Sequence, residues 1–416
     1  MITSFTLENN LQLTLELDTP RFGLSPDALF GLAARQNPQR AFLFVSKVLG
    51  KHLPIRPGAL LAAGKLLALA LAGKTDGEYW ASIINGAAGP AFAELWAHLE
   101  ASRTPLPAQE RTLFIGFAET ATGLGQAVAD CFSGESAYIS TTRFEQTGGT
   151  PLTFDEAHSH ARTHLLYLDP NDAFLRGCRR AVLIDDEFTT GNTAFRLVER
   201  LHAAYGIRRF VLLALLDNSS GEQRRAVEKR LGVEIEMISL LKSRIVSTEN
   251  GAPPAPALTD LTGATGSAPT LLDPGIFLPG TGRRLMTQER LAALRRACRT
   301  AADKIGAPDA PRTLYLGSGE LIYAPALIAG FCGGGAFHST TQSPVFPLPG
   351  SAIVSGVRFD PADCYSAAGY LYNVPDGAYE RAYLFAERGA FIERGARQLT
   401  QYLSMRGIKS VSVVML

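Results

Sequence analysis

A chain of 416 residues has room for two or three domains with their own cores, and 46% hydrophobic with 19% charged residues excludes a disordered or fibrous class. Its 40 basic and 39 acidic side chains leave a net charge of +1, so no global attraction for nucleic acid is expected. The scattered cysteines (Cys131, Cys178, Cys298, Cys332, Cys364) lack CxxC spacing, and the longest apolar run, Leu60 to Ala72, is broken by Gly64 and Lys65; buried thiols, no membrane partner and a cytoplasmic location are therefore expected.

Residues 2–17 alternate apolar and polar around Asn9-Asn10, the pattern of a hairpin. Arg40 to Ser46 is an apolar strand, followed by Lys47, Lys51 and His52, which read as a solvated basic loop. Apolar helices are predicted from about Pro57 to Gly73 and from about Gly89 to Ser102. Thr112 to Phe117 then predicts a buried strand running into the small-residue loop Ala118-Glu119-Thr120-Ala121, with a helix from Leu124 to Cys131. That geometry aims backbone amides at an anion. After Tyr138 to Arg143 comes a long polar stretch to Thr163, holding Gly148-Gly149, Glu156, His158, His160 and Arg162. Loops of that length in compact domains are lids or disordered segments. A zinc site from His158, His160 and His164 competes with a proton-donor role for the first two, although the spacing is no recognised zinc pattern. His164 to Leu168 is a further apolar strand.

The most informative stretch is residues 181–193. Ala181-Val182-Leu183-Ile184 reads as a buried parallel strand, and Asp185-Asp186 stand at its carboxyl end, where open α/β sheets place ligands. Glu187-Phe188 lead into Thr189-Thr190-Gly191-Asn192-Thr193, with a helix predicted from Phe195 to Tyr205. Such a turn points amides and hydroxyls at one phosphate, aided by the helix N-terminus, while the carboxylates can take a diol. Ribose 5-phosphate carries both groups. A plain strand–turn–helix with solvated acids is the alternative. Phe210 to Leu216 predicts another parallel strand, Glu222 to Leu231 a helix, and Val233 to Leu241 an edge strand, so strand–helix alternation from 112 to 241 fits right-handed βαβ units. The Gly/Pro/Ser-rich residues 251–270 read as a linker.

The 181–193 stretch resembles the phosphoribosyl-pyrophosphate (PRPP) loop of type I phosphoribosyltransferases in its apolar run, acid pair, Thr-Thr-Gly and final Thr. The resemblance implies that Asp185 and Asp186 face the ribose hydroxyls and that Glu187 and Thr189 to Thr193 form the 5-phosphate loop. It further implies that Ala118, Glu119, Thr120 and Ala121 bind pyrophosphate, that residues 144–163 are a flap over PRPP, and that residues 1–110 are an N-terminal hood selecting the acceptor base. Lys47, Lys51 and His52 would be hood contacts on this view. Arg143, His158 and His160 join the acid pair as catalytic candidates, and Mg²⁺ is expected as cofactor, held through PRPP and possible contacts with Asp185 and Asp186 rather than by a dedicated protein site. PRPP, a small-molecule base and a homodimer partner complete the expected partners.

Beyond the linker the chain echoes itself. Arg111-Thr112-Leu113, Gly116 and Glu119 match Arg312-Thr313-Leu314, Gly317 and Glu320; Arg180-Ala181 and Leu183 match Arg381-Ala382 and Leu384; Ser140-Thr141-Thr142 matches Ser339-Thr340-Thr341 with a small slip. The echo is damaged where Asp185-Asp186 become Ala386-Glu387 and the 189–193 turn becomes Ala390-Phe391-Ile392-Glu393-Arg394. The order of parts resembles orotate-phosphoribosyltransferase-like proteins of tellurium-resistance-associated gene clusters, whose carboxyl-terminal TRSP domain is named for Thr-Arg-Ser-Pro. Here the motif is Thr341-Gln342-Ser343-Pro344, with an uncharged Gln in place of Arg.

The resulting expectation is an α/β protein. A parallel sheet with flanking helices and hood occupies residues 1–250, a linker 251–270, and a smaller, degenerate α/β copy 271–416. The expected activity is Mg²⁺-dependent transfer of ribose 5-phosphate to a nitrogenous base or small heterocycle, in the making of a nucleoside-like metabolite. The alternatives are a non-catalytic PRPP- or nucleotide-binding regulator and a nucleotide-cleaving enzyme.

Overall fold

The apolar strands assemble into two mainly parallel sheets, seen in a computed structural model that describes residues 1–416 except 36–39, 88, 108–109, 156–162, 253–257, 307–309 and 365–367. The larger sheet runs Ile2–Thr6, Gln12–Leu17, Glu234–Glu249, Arg209–Asp217, Cys178–Phe188, Arg111–Gly116, Ser136–Ser140, Met286–Thr287. Its five inner strands are parallel, joined by crossovers that pass over one face or the other of the sheet. The smaller sheet runs Thr270–Leu272, Ser410–Met415, Arg381–Ala386, Thr313–Gly317, Ala336–Ser339, and is parallel throughout.

The two sheets follow one plan. Four strands of the second half take the places that Arg209–Asp217, Cys178–Phe188, Arg111–Gly116 and Ser136–Ser140 take in the first. The fifth position is filled differently: Thr270–Leu272, which begins at the last residue of the stretch read as linker, stands where Glu234–Glu249 serves the first sheet. The copy therefore borrows its edge from the chain ahead of it.

The helices Pro57–Leu71, Thr122–Ala129, Gln288–Ile305 and Tyr323–Phe331 pack between the sheets, and one apolar core runs from Val182 and Ile184 through Leu60 and Leu327 to Tyr315 and Val414. This explains why Pro57–Leu71 is apolar on nearly every side: it is covered all round. Asn192–Tyr205 covers the outer face of the first sheet and Glu393–Met405 that of the second, each with an apolar stripe inward. All five cysteines are free thiols. Among the described residues no helix is long and apolar enough to cross a membrane.

Several expectations need correction. The strand carrying the acid pair does not stop at Ile184; it pairs on through Phe188, and the helix begins at Asn192. Glu234–Glu249 is not an edge strand, because its distal half pairs antiparallel with Gln12–Leu17, which brings the amino-terminal hairpin into the main sheet. What lies over the strand ends is Phe30–Arg35 with Phe42–Ser46, joined at the far edge by Val345–Phe346 of the second half. The hairpin Leu152–Asp155 with Thr163–Leu166 stands apart from the sheet, and the second half has its counterpart in Gly356–Phe359 with Gly369–Tyr372.

Candidate functional site

Asp185 and Asp186 are half-buried at the carboxyl end of the central strand. Asp186 donates its N–H to Asp185 Oδ1 at 2.9 Å, which holds the two carboxyls close together. Burial, and then the neighbouring Asp186, push Asp185 well above the ordinary carboxylate range; burial pushes Asp186 up to about 6. Two like charges in one half-dry place share a proton rather than both ionise. Among the described residues neither acid has an ion-pair partner.

The turn after them has the shape expected of an anion cradle. Gly191 caps the helix with φ +76°, and a Cβ there would sit 2.9 Å from the Phe195 ring, so the position requires glycine. Thr190 Oγ1 accepts from Asn192 N–H at 3.4 Å. Among the described residues, the N–H groups of Thr190, Gly191 and Thr193 have no backbone partner and stand at the positive end of a 14-residue helix. Glu187 is engaged elsewhere. It pairs with Arg40 at 2.8 Å, accepts from the Thr189 hydroxyl at 2.9 Å and from Asn218 Nδ2 at 3.3 Å. A carboxylate would repel phosphate, so its contribution is to hold Thr189 and Arg40 in place. The Arg40 guanidinium lies 4.6 Å over the Phe42 ring, and Leu29, Phe30, Phe44 and Ser46 line a small pocket with Asp186, Glu187, Leu215 and Leu216.

The second loop folds back on its own strand: a Cβ on Gly116 would lie 2.7 Å from the Ala121 carbonyl. Of the four residues assigned to pyrophosphate, two have committed amides. Ala118 N–H donates to Thr141 Oγ1 at 2.8 Å and Ala121 N–H to the Phe117 carbonyl at 3.0 Å. Glu119 and Thr120 have none among the described residues, so these two can face an anion.

The Glu119 carboxylate is where sequence reasoning missed most. Lys51, read as part of a solvated loop, is 1% exposed and pairs with Glu119 at 2.6 Å. Its ammonium also donates to the carbonyls of Gly319 at 2.6 Å and Thr340 at 2.7 Å. Burial raises Glu119, but Lys51 and the Gln342 N–H outweigh it and hold the carboxyl below its ordinary range. His52 is likewise buried, and burial with Lys51 beside it drives its pKa down to about 3. Only Lys47 is exposed, capping the Asp27 carbonyl at 2.7 Å. No local signal separates Lys47 from Lys51, since the partners of Lys51 lie some 70 to 290 positions away.

His158, His160 and Arg162 lie outside the described residues. His164, the third member of the zinc alternative, is buried and bonds Thr141 Oγ1 at 3.1 Å through Nδ1, and no metal-ligating cluster occurs among the described residues. Arg143 donates its backbone N–H to Glu320 at 3.1 Å.

Residues 29–244, more than half of the chain, match the family model described as phosphoribosyl transferase. The chain belongs to the phosphoribosyl transferase family. Residues 280–403 match the TRSP domain, described as the C terminus to that transferase domain. Among solved structures, adenine phosphoribosyltransferase from Rhodothermus marinus DSM 4252 is similar at 16% identity, over 35% of this chain and 73% of that one, with a TM-score of 0.23. Adenine phosphoribosyl transferase from Trypanosoma brucei, in complex with AMP, pyrophosphate and ribose-5-phosphate, is similar at 18% identity over 39% and 70%, with a TM-score of 0.25. No curated protein matches the chain. In this phosphoribosyl transferase the acid pair, the 189–193 turn and the Glu119 loop all lie at the carboxyl ends of adjacent parallel strands.

Proposed function

We propose that the first half binds PRPP and transfers its ribose 5-phosphate to a nitrogenous base or small heterocycle, releasing pyrophosphate. The observation that carries this is the paired Asp185 and Asp186, without a direct ion-pair partner among the described residues, beside a helix N-terminus with free amides. Thr190, Gly191, Asn192 and Thr193 would hold the 5-phosphate, with Thr189 kept in place by Glu187. Asp185 and Asp186 would face the ribose hydroxyls, where a diol replaces the proton they share. Glu119 and Thr120 would offer their amides to pyrophosphate, and Arg143 adds positive charge nearby. His158 and His160 are proposed as proton donors to the departing group. The ribose C1–O bond breaks as the C1–N bond forms, so these residues act by positioning and by excluding water.

The donor set suits Mg²⁺ as a shared guest. One or two carboxylates with substrate oxygens form its usual protein site, and the acid pair is of that kind. When bound, Mg²⁺ supplies positive charge against the departing pyrophosphate. The hood strands that carry Phe30 and Phe44 stand beside Asp186 and would offer aromatic surface to a planar acceptor. A nucleoside-like product, a homodimer and a cytoplasmic location belong to the same proposal.

Purified protein with PRPP and Mg²⁺ should release pyrophosphate when offered the correct base from a panel of heterocycles. Tight PRPP binding with no release across the panel would favour the regulator; ribose 5-phosphate formed from nucleotides in water would favour the cleaving enzyme.

A further inference from the structure

Two carboxylates cross between the halves in opposite directions. Glu119 accepts from Thr341 Oγ1 at 3.1 Å and from Gln342 N–H at 3.3 Å in the second half. Glu320 accepts from Thr142 Oγ1 at 2.8 Å and from Arg143 N–H at 3.1 Å in the first. The donors match as well as the acceptors. Thr142 exchanges backbone bonds with Leu165, and Thr341 does so with Tyr370 on the corresponding hairpin. Thr141 Oγ1 takes the Ala118 N–H, as Thr340 Oγ1 takes that of Gly319. A Cβ on Gly317 would strike the Leu321 carbonyl at 2.1 Å, repeating the fold-back at Gly116. The segments ahead of the two long central helices are exchanged too: Ile55 bridges to Phe337, and Met286 pairs with Tyr138. The halves meet as two copies of one unit would, about an approximate two-fold.

The symmetry fails at the cations. Lys51 passes from Glu119 to the carbonyls of the second half, whereas Arg283 turns from Glu320 (2.9 Å) back to Glu387 (2.7 Å), the counterpart of Asp186. Burial disfavours the Arg283 charge, but Glu387 and Glu320 outweigh it and raise its pKa. An internal guanidinium thus stands between loop acid and strand acid in the second half. The second half has closed its own cleft and kept the contacts that reach across.

We propose that Thr341, in the motif that names the TRSP domain, is a positioning residue of the first-half site. Through Glu119 it fixes the loop whose Glu119 and Thr120 amides face pyrophosphate, and Glu320 fixes the start of the flap at Thr142-Arg143 in the same way. The second half completes the site and does not merely adjoin it. This rests on the first half being the PRPP site. The physical ground is that a 10% exposed carboxylate with named donors has one orientation, and losing a donor to a buried charge frees the loop that carries it.

The test uses the full chain with Thr341→Val and Thr341→Ser, well below the unfolding temperature. Titration with PRPP and Mg²⁺ should show Thr341→Val weaker by roughly tenfold and Thr341→Ser restored to within about twofold. Hydrogen exchange at the bonded amides of Ala118 and Ala121, which flank Glu119 and Thr120, should quicken in Thr341→Val and recover in Thr341→Ser. Unchanged affinity and exchange in Thr341→Val overturns the proposal, as does a loss that tracks global unfolding and is not restored by serine. If the wild type binds no PRPP, the functional reading falls, and the exchange rates alone decide the positioning claim. Should Thr341→Val fail to fold, Glu320→Gln is judged by the same criterion at residues 142–144.

Discussion

In the first half, the central strand carries Asp185 and Asp186 near its carboxyl end, half-buried and without an ion-pair partner among the described residues; in the second, the matching strand ends at Ala386 with Glu387 just beyond it, and Arg283 is closed upon that acid. The backbone plans coincide down to the glycine beneath each loop. What separates the candidate site from its counterpart is charge compensation, together with the loss of the glycine turn at 189–193. An acid pair that must share a proton is poised to exchange it for a ligand's hydroxyls and a cation. An acid already neutralised by a buried arginine has nothing to gain from either.

The comparison can be broken first at its cations. Lys51→Met strands Glu119 and should cost about 3–5 kcal/mol in chemical denaturation, whereas Lys47→Met at the exposed site should stay within about 0.5 kcal/mol. Equal effects would mean that Lys51 is not the buried partner of Glu119.

A smaller effect sharpens the acid pair. Its folded pKa lies above the unfolded value, so the native state holds the extra proton and stability is lost as pH rises from about 4 through about 6. Asp185→Asn removes the repulsion and should stabilise the protein by roughly 1 kcal/mol at neutral pH while weakening PRPP binding. His52 and His338 are buried neutral with folded pKa values near 3 and 4, so they act the other way: stability falls as pH drops below about 6.5. The difference between Asp185→Asn and wild type across this range isolates the pair. A difference independent of pH would contradict the coupling.

Much of this was legible in the chain. The apolar run before Asp185, the glycine at 191 and the register shared by Arg111-Thr112-Leu113 and Arg312-Thr313-Leu314 are local patterns, and local patterns specify strands, turns and their repetition. The ends of elements were less legible: the acid-bearing strand continues to Phe188 because its neighbour Arg209–Asp217 offers a partner that far. The hood strand Phe30–Arg35 and the short helix Glu78–Ile84 escaped notice, being too short for a periodic signal. The role of Lys51 was illegible in principle. A lysine beside a histidine and a glycine reads as solvated until Glu119, Gly319 and Thr340 are brought around it. Arg40 on Glu187 and Thr341 on Glu119 are of the same kind.

The most direct test of the contrast between the halves is an equilibrium titration of the full chain with PRPP and Mg²⁺, repeated on Asp186→Asn and Glu387→Gln. The account predicts about one equivalent bound per chain, lost on the order of 100-fold in affinity in Asp186→Asn and held within about twofold in Glu387→Gln. Two equivalents in the wild type, or a loss in Glu387→Gln as large as that in Asp186→Asn, would contradict it.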